Sequence, residues 1–421
     1  LDEAKGAFMT TAILATLFVL RWLLDTVADL LNLSSLQNPG DMKPVLEKEF
    51  GRLLDSTKYE RTLTYQAAVT RFVLLRRSVN LIVFLALLLV GAFGSIYQLC
   101  LSWGASGVFS VLIFAGALGL FSSLLSLPFD IAFTFSLEAK YGFNRTTPRV
   151  FVQDRLKGVA LSVVLGAPVL AALFWFFETT GESAWWVSWL TLTVFQLLIS
   201  FVAPVLILPL FNKFEPLQKG EVREAIENYA RAENFDLEGI YTMDGSKRST
   251  KANAFFAGFG KFRRLVVFDT LLSTQTTKEL VAVVAHEVGH FRRGHILKSI
   301  CLSIVTSGVL LWVFQQVASD SRIFEAFHVE SQSLALGLVL ASVAAGPILR
   351  LTSFASQAMS RKYEFEADEF SVRSYKQPQA LASALKKLSV EHLSNLNPHR
   401  LKVWLDYSHP PVLERVRRLS L

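Results

Sequence analysis

The sequence predicts a polytopic α-helical membrane protein with a folded polar region on one side of the bilayer, and three observations predict it. Hydrophobic residues make up 52% of the 421-residue chain and charged residues only 18%, with 34 Phe, against the roughly 25% charged residues of soluble domains. Apolar runs near the length that crosses about 30 Å of hydrocarbon lie at 8–24 (extendable to 32), 79–102, 106–128, 158–178, 185–210, 299–318 and 333–356. Lys and Arg alternate between the segments around these runs. One precedes the first run; eight, none, five, none, fourteen and one follow in turn; eleven close the chain. This alternation puts the N-terminus outside and the long 211–298 loop and the 357–421 tail on the cytosolic side. Topology therefore accounts for the net charge of +7, and no nucleic-acid partner is expected.

The first run carries Arg21 and Asp25 at i,i+4 spacing, so its inner half is expected to pack on protein or line a wet cavity. A long basic loop follows it rather than a small-residue cleavage site, so it reads as a retained helix. That loop, 34–78, is charged and helix-prone. Cys100 and Cys301 both fall in apolar runs, so no disulfide framework or thiolate metal site is suggested. The chain divides into spans one to five (1–210, with cytosolic loops 34–78 and 137–157), a cytosolic region (211–298), spans six and seven (299–356) and a cytosolic tail (357–421).

Within 211–298, "KGEVREAIENYARAENF" has helical periodicity, "GIYTMD" and "RRLVVFD" read as short strands, and "KANAFFAGF" between them is small and extended in character. With the turn residues around them, these segments predict a small antiparallel sheet. A helix then opens at Thr276, with Glu279 in the capping-box position.

That helix carries "VVAHEVGHFRRGH". His286 and His290 stand one turn apart on one face, so two imidazole nitrogens can reach one metal ion, and Glu287 leans toward the open coordination position as a base for water activation. The competing reading is a chance pattern on a helix whose histidines are otherwise satisfied. A third ligand is needed. His295 stands nine residues after His286, one short of the metzincin spacing, and is read instead as a helix C-terminal or supporting residue. Glu364 in "EFEAD" is the better candidate, because two intervening spans return the chain to the same side. Asp368 shares its helical face and can take the other ring N–H of a ligand histidine, whereas Glu366 points elsewhere. A solvated acidic face beside Arg361 and Lys362 is the alternative.

With "HEVGHFRRGH", "YEFEADEF", "NAFFAGFGKFRRLVVFDTLL", "EAKYGFNRTTP", "LPLFNKFEPL" and "SHPPVLERV" in this order, nearly the whole chain resembles the integral-membrane zinc metalloproteases of the CAAX prenyl protease 1 family, the type I CAAX endopeptidases. The resemblance implies seven transmembrane helices enclosing a large chamber, with a zincin-like α+β protease domain on the cytosolic side and one Zn2+ per chain on His286, His290 and Glu364. It implies Glu287 as general base and His409 as donor to the oxyanion. It makes Arg415, like Asp368 a supporting residue, an arginine that braces the site by pairing with an acid. By themselves His409 reads as a turn residue before Pro410 and Arg415 as a surface base. The resemblance also matches Asn253 and Ala254 to the edge strand along which an extended peptide is laid; a packed strand is the plainer reading.

The expected partners are a peptide or protein substrate, in this family isoprenylated and cut after the lipidated cysteine of a C-a-a-X end, and membrane lipid. Rival expectations are a membrane quality-control protease without a prenyl requirement, a site-2-type protease, and a non-enzymatic channel or transporter. The basic "FRRGH" flank places the motif outside a span and argues against the second, and an intact Glu287 argues against the third. The reading favours a bacterial inner membrane, with the endoplasmic reticulum as the alternative for a eukaryotic source.

Overall fold

In hydrocarbon a backbone must satisfy its own polar groups, so long apolar runs become helices. The computed structural model describes residues 2–38, 40, 42–258 and 263–420. The first half of the chain is α1 (Asp2–Gln37), α2 (Met42–Phe50), α3 (Ser56–Leu89), α4 (Ala92–Ser102), α5 (Gly107–Ala132), α6 (Pro148–Leu161), α7 (Ala167–Thr179), α8 (Ala184–Val202) and α9 (Leu208–Phe211). Wide π-helical turns at Phe133–Glu138, Ser162–Gly166 and Ala203–Ile207 continue α5, join α6 to α7 and join α8 to α9. Pro128, Pro168 and Pro204 lie in or beside these turns. A proline removes one N–H from the ladder, and a wide turn lets the chain continue around the gap.

Among the described residues, six helices are long and apolar enough to cross a membrane: Phe8–Gln37, Ser56–Leu89, Gly107–Glu138, Pro148–Thr179, Gly181–Phe211 and His295–Ala318. A bent pair, Leu334–Ala344 with Gly346–Tyr375 at 61°, makes a seventh. The chain is an integral, multi-pass membrane protein. Two expectations are corrected in detail. The 79–102 run is not one span, because Gly91 takes a left-handed conformation (φ 67°) and detaches α4 from α3. The second span instead reaches back to Ser56, absorbing part of the 34–78 loop, whose Arg77 pairs with Asp29 of α1 at 2.5 Å. The 333–356 run is likewise broken at Ala345.

The second half is β1 (Phe214–Pro216), α10 (Glu221–Ala232), β2 (Gly239–Met243), β3 (Ala254–Ala257), β4 (Arg264–Phe268), α11 (Asp269–Thr274), α12 (Thr277–Arg292), α13 (His295–Ala318), α14 (Ser321–Ala326), α15 (Leu334–Ala344), α16 (Gly346–Tyr375), α17 (Pro378–Glu391), α18 (Arg400–Asp406) and α19 (Val412–Leu419). The sheet order is β1-β2-β4-β3. It is mixed rather than antiparallel: β2 and β4 run parallel, while β1–β2 and β3–β4 are antiparallel. The stretch between β2 and β4 crosses over and leaves β3 on the outer edge, a topology that local strand patterning does not encode. One face of the sheet packs Ile240, Leu265 and Val267 against Val281, Val284 and Val288 of α12. Within the membrane bundle small residues allow close helix contact; a Cβ on Gly337 of α15 would meet the Ala318 carbonyl oxygen at 2.5 Å.

Candidate metal centre

The Thr276 hydroxyl and Glu279 carboxylate close a capping box that starts α12. Glu279 is buried and also accepts from Ser383 (2.6 Å) and Lys387 (2.7 Å) of α17, which locks the motif helix to the tail. Further along, a Cβ on Gly289 would lie 3.0 Å from the Ala367 Cα; the missing side chain lets α12 and α16 touch. Ser371 donates to the Ala282 carbonyl at 2.9 Å across the same seam.

This contact brings the sequence-predicted residues together. His286 Nε2 lies 3.1 Å from His290 Nε2, and Glu364 reaches the pair at 3.5 Å (Oε2 to His286) and 3.3 Å (Oε1 to His290). His286 Nδ1 meets Asp368 Oδ1 at 2.9 Å. Arg415 grips Asp368 with two bonds of 2.8 and 2.6 Å, the fork geometry that suits a guanidinium and a carboxylate. Its Nη1 stands 2.9 Å from Glu364 Oε2, yet that oxygen is buried without an aligned hydrogen bond. The contact balances charge and leaves the lone pairs free. His409 Nε2 lies 3.3 Å from Glu364 Oε1, and its Nδ1 is 2.8 Å from Ser408 Oγ.

A cavity of about 860 Å3 opens beside these groups, lined by Glu287, His409, Asn253 and Ala254 among others. β3 is the last strand of the sheet, so among the described residues its outer edge has no strand partner. Burial raises the Glu287 pKa above the usual carboxylate range, opposed by His286 and His290. Desolvation inside the cleft lowers that of His409, despite Glu364.

Comparison with known proteins follows the same division of the chain. Residues 35–213 match the family described as CAAX prenyl protease N-terminal, five membrane helices. Residues 216–421 match peptidase family M48. The chain belongs to the M48 peptidases. It is 31% identical to the CAAX prenyl protease 1 homolog of Arabidopsis thaliana over 98% of this chain and 97% of that protein. It is 30% identical to CAAX prenyl protease 1 of Saccharomyces cerevisiae, with 90% and 88% covered. A crystal structure of S. mikatae Ste24p superposes with a TM-score of 0.91 at 29% identity, covering 98% of this chain and 99% of that one. This M48 member is a membrane metalloendopeptidase.

The donor set fits a metal ion. Ligand atoms of His286, His290 and Glu364 all lie within 4.8 Å of one another. Donors about 2.0–2.1 Å from a tetrahedral zinc stand about 3.3 Å apart; the two imidazole nitrogens here are 3.1 Å apart, and each has one of the two Glu364 oxygens within 3.5 Å. Desolvation opposes charge on His286, but Asp368 and Glu364 outweigh it and raise the ring's pKa to about 9.

Helical spacing picked out His286, His290, Glu287 and Asp368, and loop parity Glu364; His409, Arg415, Asn253 and Ala254 came from the resemblance, and all nine lie together here. Several supporting residues were not legible. His392 Nε2 accepts the Ala252 N–H at 2.9 Å. Lys251, beside it, pairs with Glu138 at 2.9 Å and ties the edge strand to the helical bundle. Arg361 donates to the Val403 and Tyr407 carbonyls at 3.1 and 2.7 Å, fixing the end of α18 just before His409. No local pattern marks these three, since each partner is distant in sequence. Of the two roles expected for His295, the helix C-terminal one is not met: Gly294 turns left-handed (φ 67°), and His295 begins α13.

Proposed function

We propose that the chain is a zinc endopeptidase that removes the last three residues of prenylated C-a-a-X proteins, with His286, His290 and Glu364 as ligands. The observation that carries this reading is the convergence of three ligand atoms within 4.8 Å on the wall of a cavity that also holds Glu287, His409 and a free strand edge. Zinc bound there supplies Lewis-acid polarisation and acidifies a water molecule. The curated relatives are named CAAX prenyl protease 1, which gives the substrate class.

The chain's own residues supply the remaining steps. An extended peptide adds to the edge of β3 at Asn253 and Ala254, held by main-chain hydrogen bonds whatever its side chains. Leu381, Leu385 and Leu388 of α17 line the same cavity, an apolar wall for the two aliphatic residues of the motif. Glu287, with its raised pKa, takes the proton of the attacking water and returns it to the leaving amine. With Ser408 donating to Nδ1 of His409, Nε2 carries the ring's proton and donates to the substrate oxyanion. Arg415 and Asp368 hold His286 in orientation.

Residues 211–298 and 357–421 act as one catalytic unit. Their Lys and Arg content argues for the cytosolic side.

Cleavage of one C-a-a-X peptide, with and without farnesyl, by wild type beside Glu287→Gln tests the reading. Farnesyl-dependent cutting by wild type alone is expected. Equal cutting of both peptides would make the lipid incidental and favour a quality-control role.

A further inference from the structure

The two candidate ligand histidines are supported differently from behind. His286 leans directly on a carboxylate, Asp368. Among the described residues, His290 has no carboxylate on its far nitrogen. Its Nδ1 instead lies 3.0 Å from Nδ1 of His295, and His295 Nε2 lies 3.0 Å from Glu366 Oε2. His295 is 3% exposed and its ring lies flat on Tyr363, with centroids 4.1 Å apart at 10°. Lys362 stands 3.7 Å from the other Glu366 oxygen.

The proton positions follow from the contacts. If Nε2 of His290 faces a metal, its single proton sits on Nδ1. Two Nδ1 atoms at 3.0 Å share one proton, so His295 Nδ1 accepts and His295 Nε2 carries the other proton to Glu366. Only one arrangement of protons satisfies all three groups.

We propose that His295 and Glu366 are positioning residues, a two-member relay that fixes the tautomer and ring orientation of His290 and thereby sets metal affinity. The inference rests on the zinc reading above and deepens it. Such supporting bonds raise the basicity of a ligand imidazole and hold it in the plane the metal needs. His295 opens α13 and Glu366 lies on α16, so the relay ties one ligand to the points where two membrane helices meet the protease region.

The test is zinc affinity, measured on metal-stripped, detergent-purified protein by competition with a chelator, with thermal unfolding as a fold check. His295→Leu should weaken zinc by about 10–100-fold, whereas His295→Gln, whose amide can accept from His290 and donate to Glu366, should recover to within about fivefold of wild type. Should His295→Leu not fold, Glu366→Leu reads the same relay from its far end, with about threefold to tenfold weakening expected. Wild-type affinity in both Leu variants overturns the relay. So does a Gln variant as weak as Leu, which would leave His295 only its stacking on Tyr363. A wild type that takes up no zinc overturns the metal reading itself, and that outcome is distinguishable from the other two.

Discussion

Two clusters of charged side chains share helix α16, roughly four turns apart, and they are built to opposite ends. Around Arg350 the charges close on one another. Arg350 meets Asp25 at 2.6 Å and Asp406 at 2.5 Å, Arg77 meets Asp29 at 2.5 Å, and Lys402 bridges Asp29 and Asp406. Asp25 and Asp29 are 5% and 1% exposed, and every carboxylate has a cation. Around Glu364 burial is equally deep, but the donors converge without closing. Two imidazoles face each other, and one carboxylate oxygen has charge beside it without a hydrogen bond. A buried polar group without a hydrogen bond is costly. A closed network is explained by architecture, since it joins α1, α3, α16 and α18. An open one suits residues that would hold a cation. The same residue types thus serve structure in one place and chemistry in the other.

The comparison breaks most readily at Glu287. Glu287→Gln should keep the fold and zinc content while lowering kcat by up to about 10^4, the upper range for a general base; retained turnover removes the assignment. Next, His409→Ala should lower kcat by about 10^2–10^3 with zinc content unchanged, measured by single-turnover cleavage and metal analysis. A variant that loses only fold counts against an oxyanion role.

The third experiment contrasts the clusters directly. Arg350→Met leaves the Asp25 carboxylate buried with Arg21 only at 4.0 Å, and should cost about 3–5 kcal/mol of stability. Glu364→Ala should abolish zinc binding yet leave the metal-free protein as stable as wild type or more so, because functional sites are held at a stability cost. Thermal unfolding of both variants in one detergent checks this, and an equal loss would erase the distinction.

The smallest expected effect lies at His392. Desolvation lowers its pKa to about 4, with Lys251 adding to the shift. Below the free value of about 6.5 the unfolded chain binds a proton that the folded chain refuses, so stability falls with pH between about 6.5 and 4. The loss approaches about 3 kcal/mol, and His392→Asn should flatten that segment of the stability curve. An unchanged curve would mean that His392 is not held neutral against the Ala252 N–H.

How much was legible depends on the range of the interaction. Span existence followed from hydropathy, since the cost of polar backbone in lipid acts on each segment alone. Helical spacing identified His286, His290 and Glu287, because i,i+4 residues share a face wherever the helix goes. Loop parity returned Glu364 to the same side, and the wider resemblance supplied His409, Arg415, Asn253 and Ala254. What the sequence by itself determined was therefore the membrane class, the α12 motif with its capping box, and the candidate donor set. The tertiary structure decided the rest. It split the 79–102 run at Gly91, made the sheet mixed, closed the Arg350 network between residues 325 positions apart, and seated His295 against Glu366 across 71. The physical reason is that periodicity and hydropathy act along the chain, whereas close packing at points such as Gly289 against Ala367 acts between segments whose approach no local pattern records.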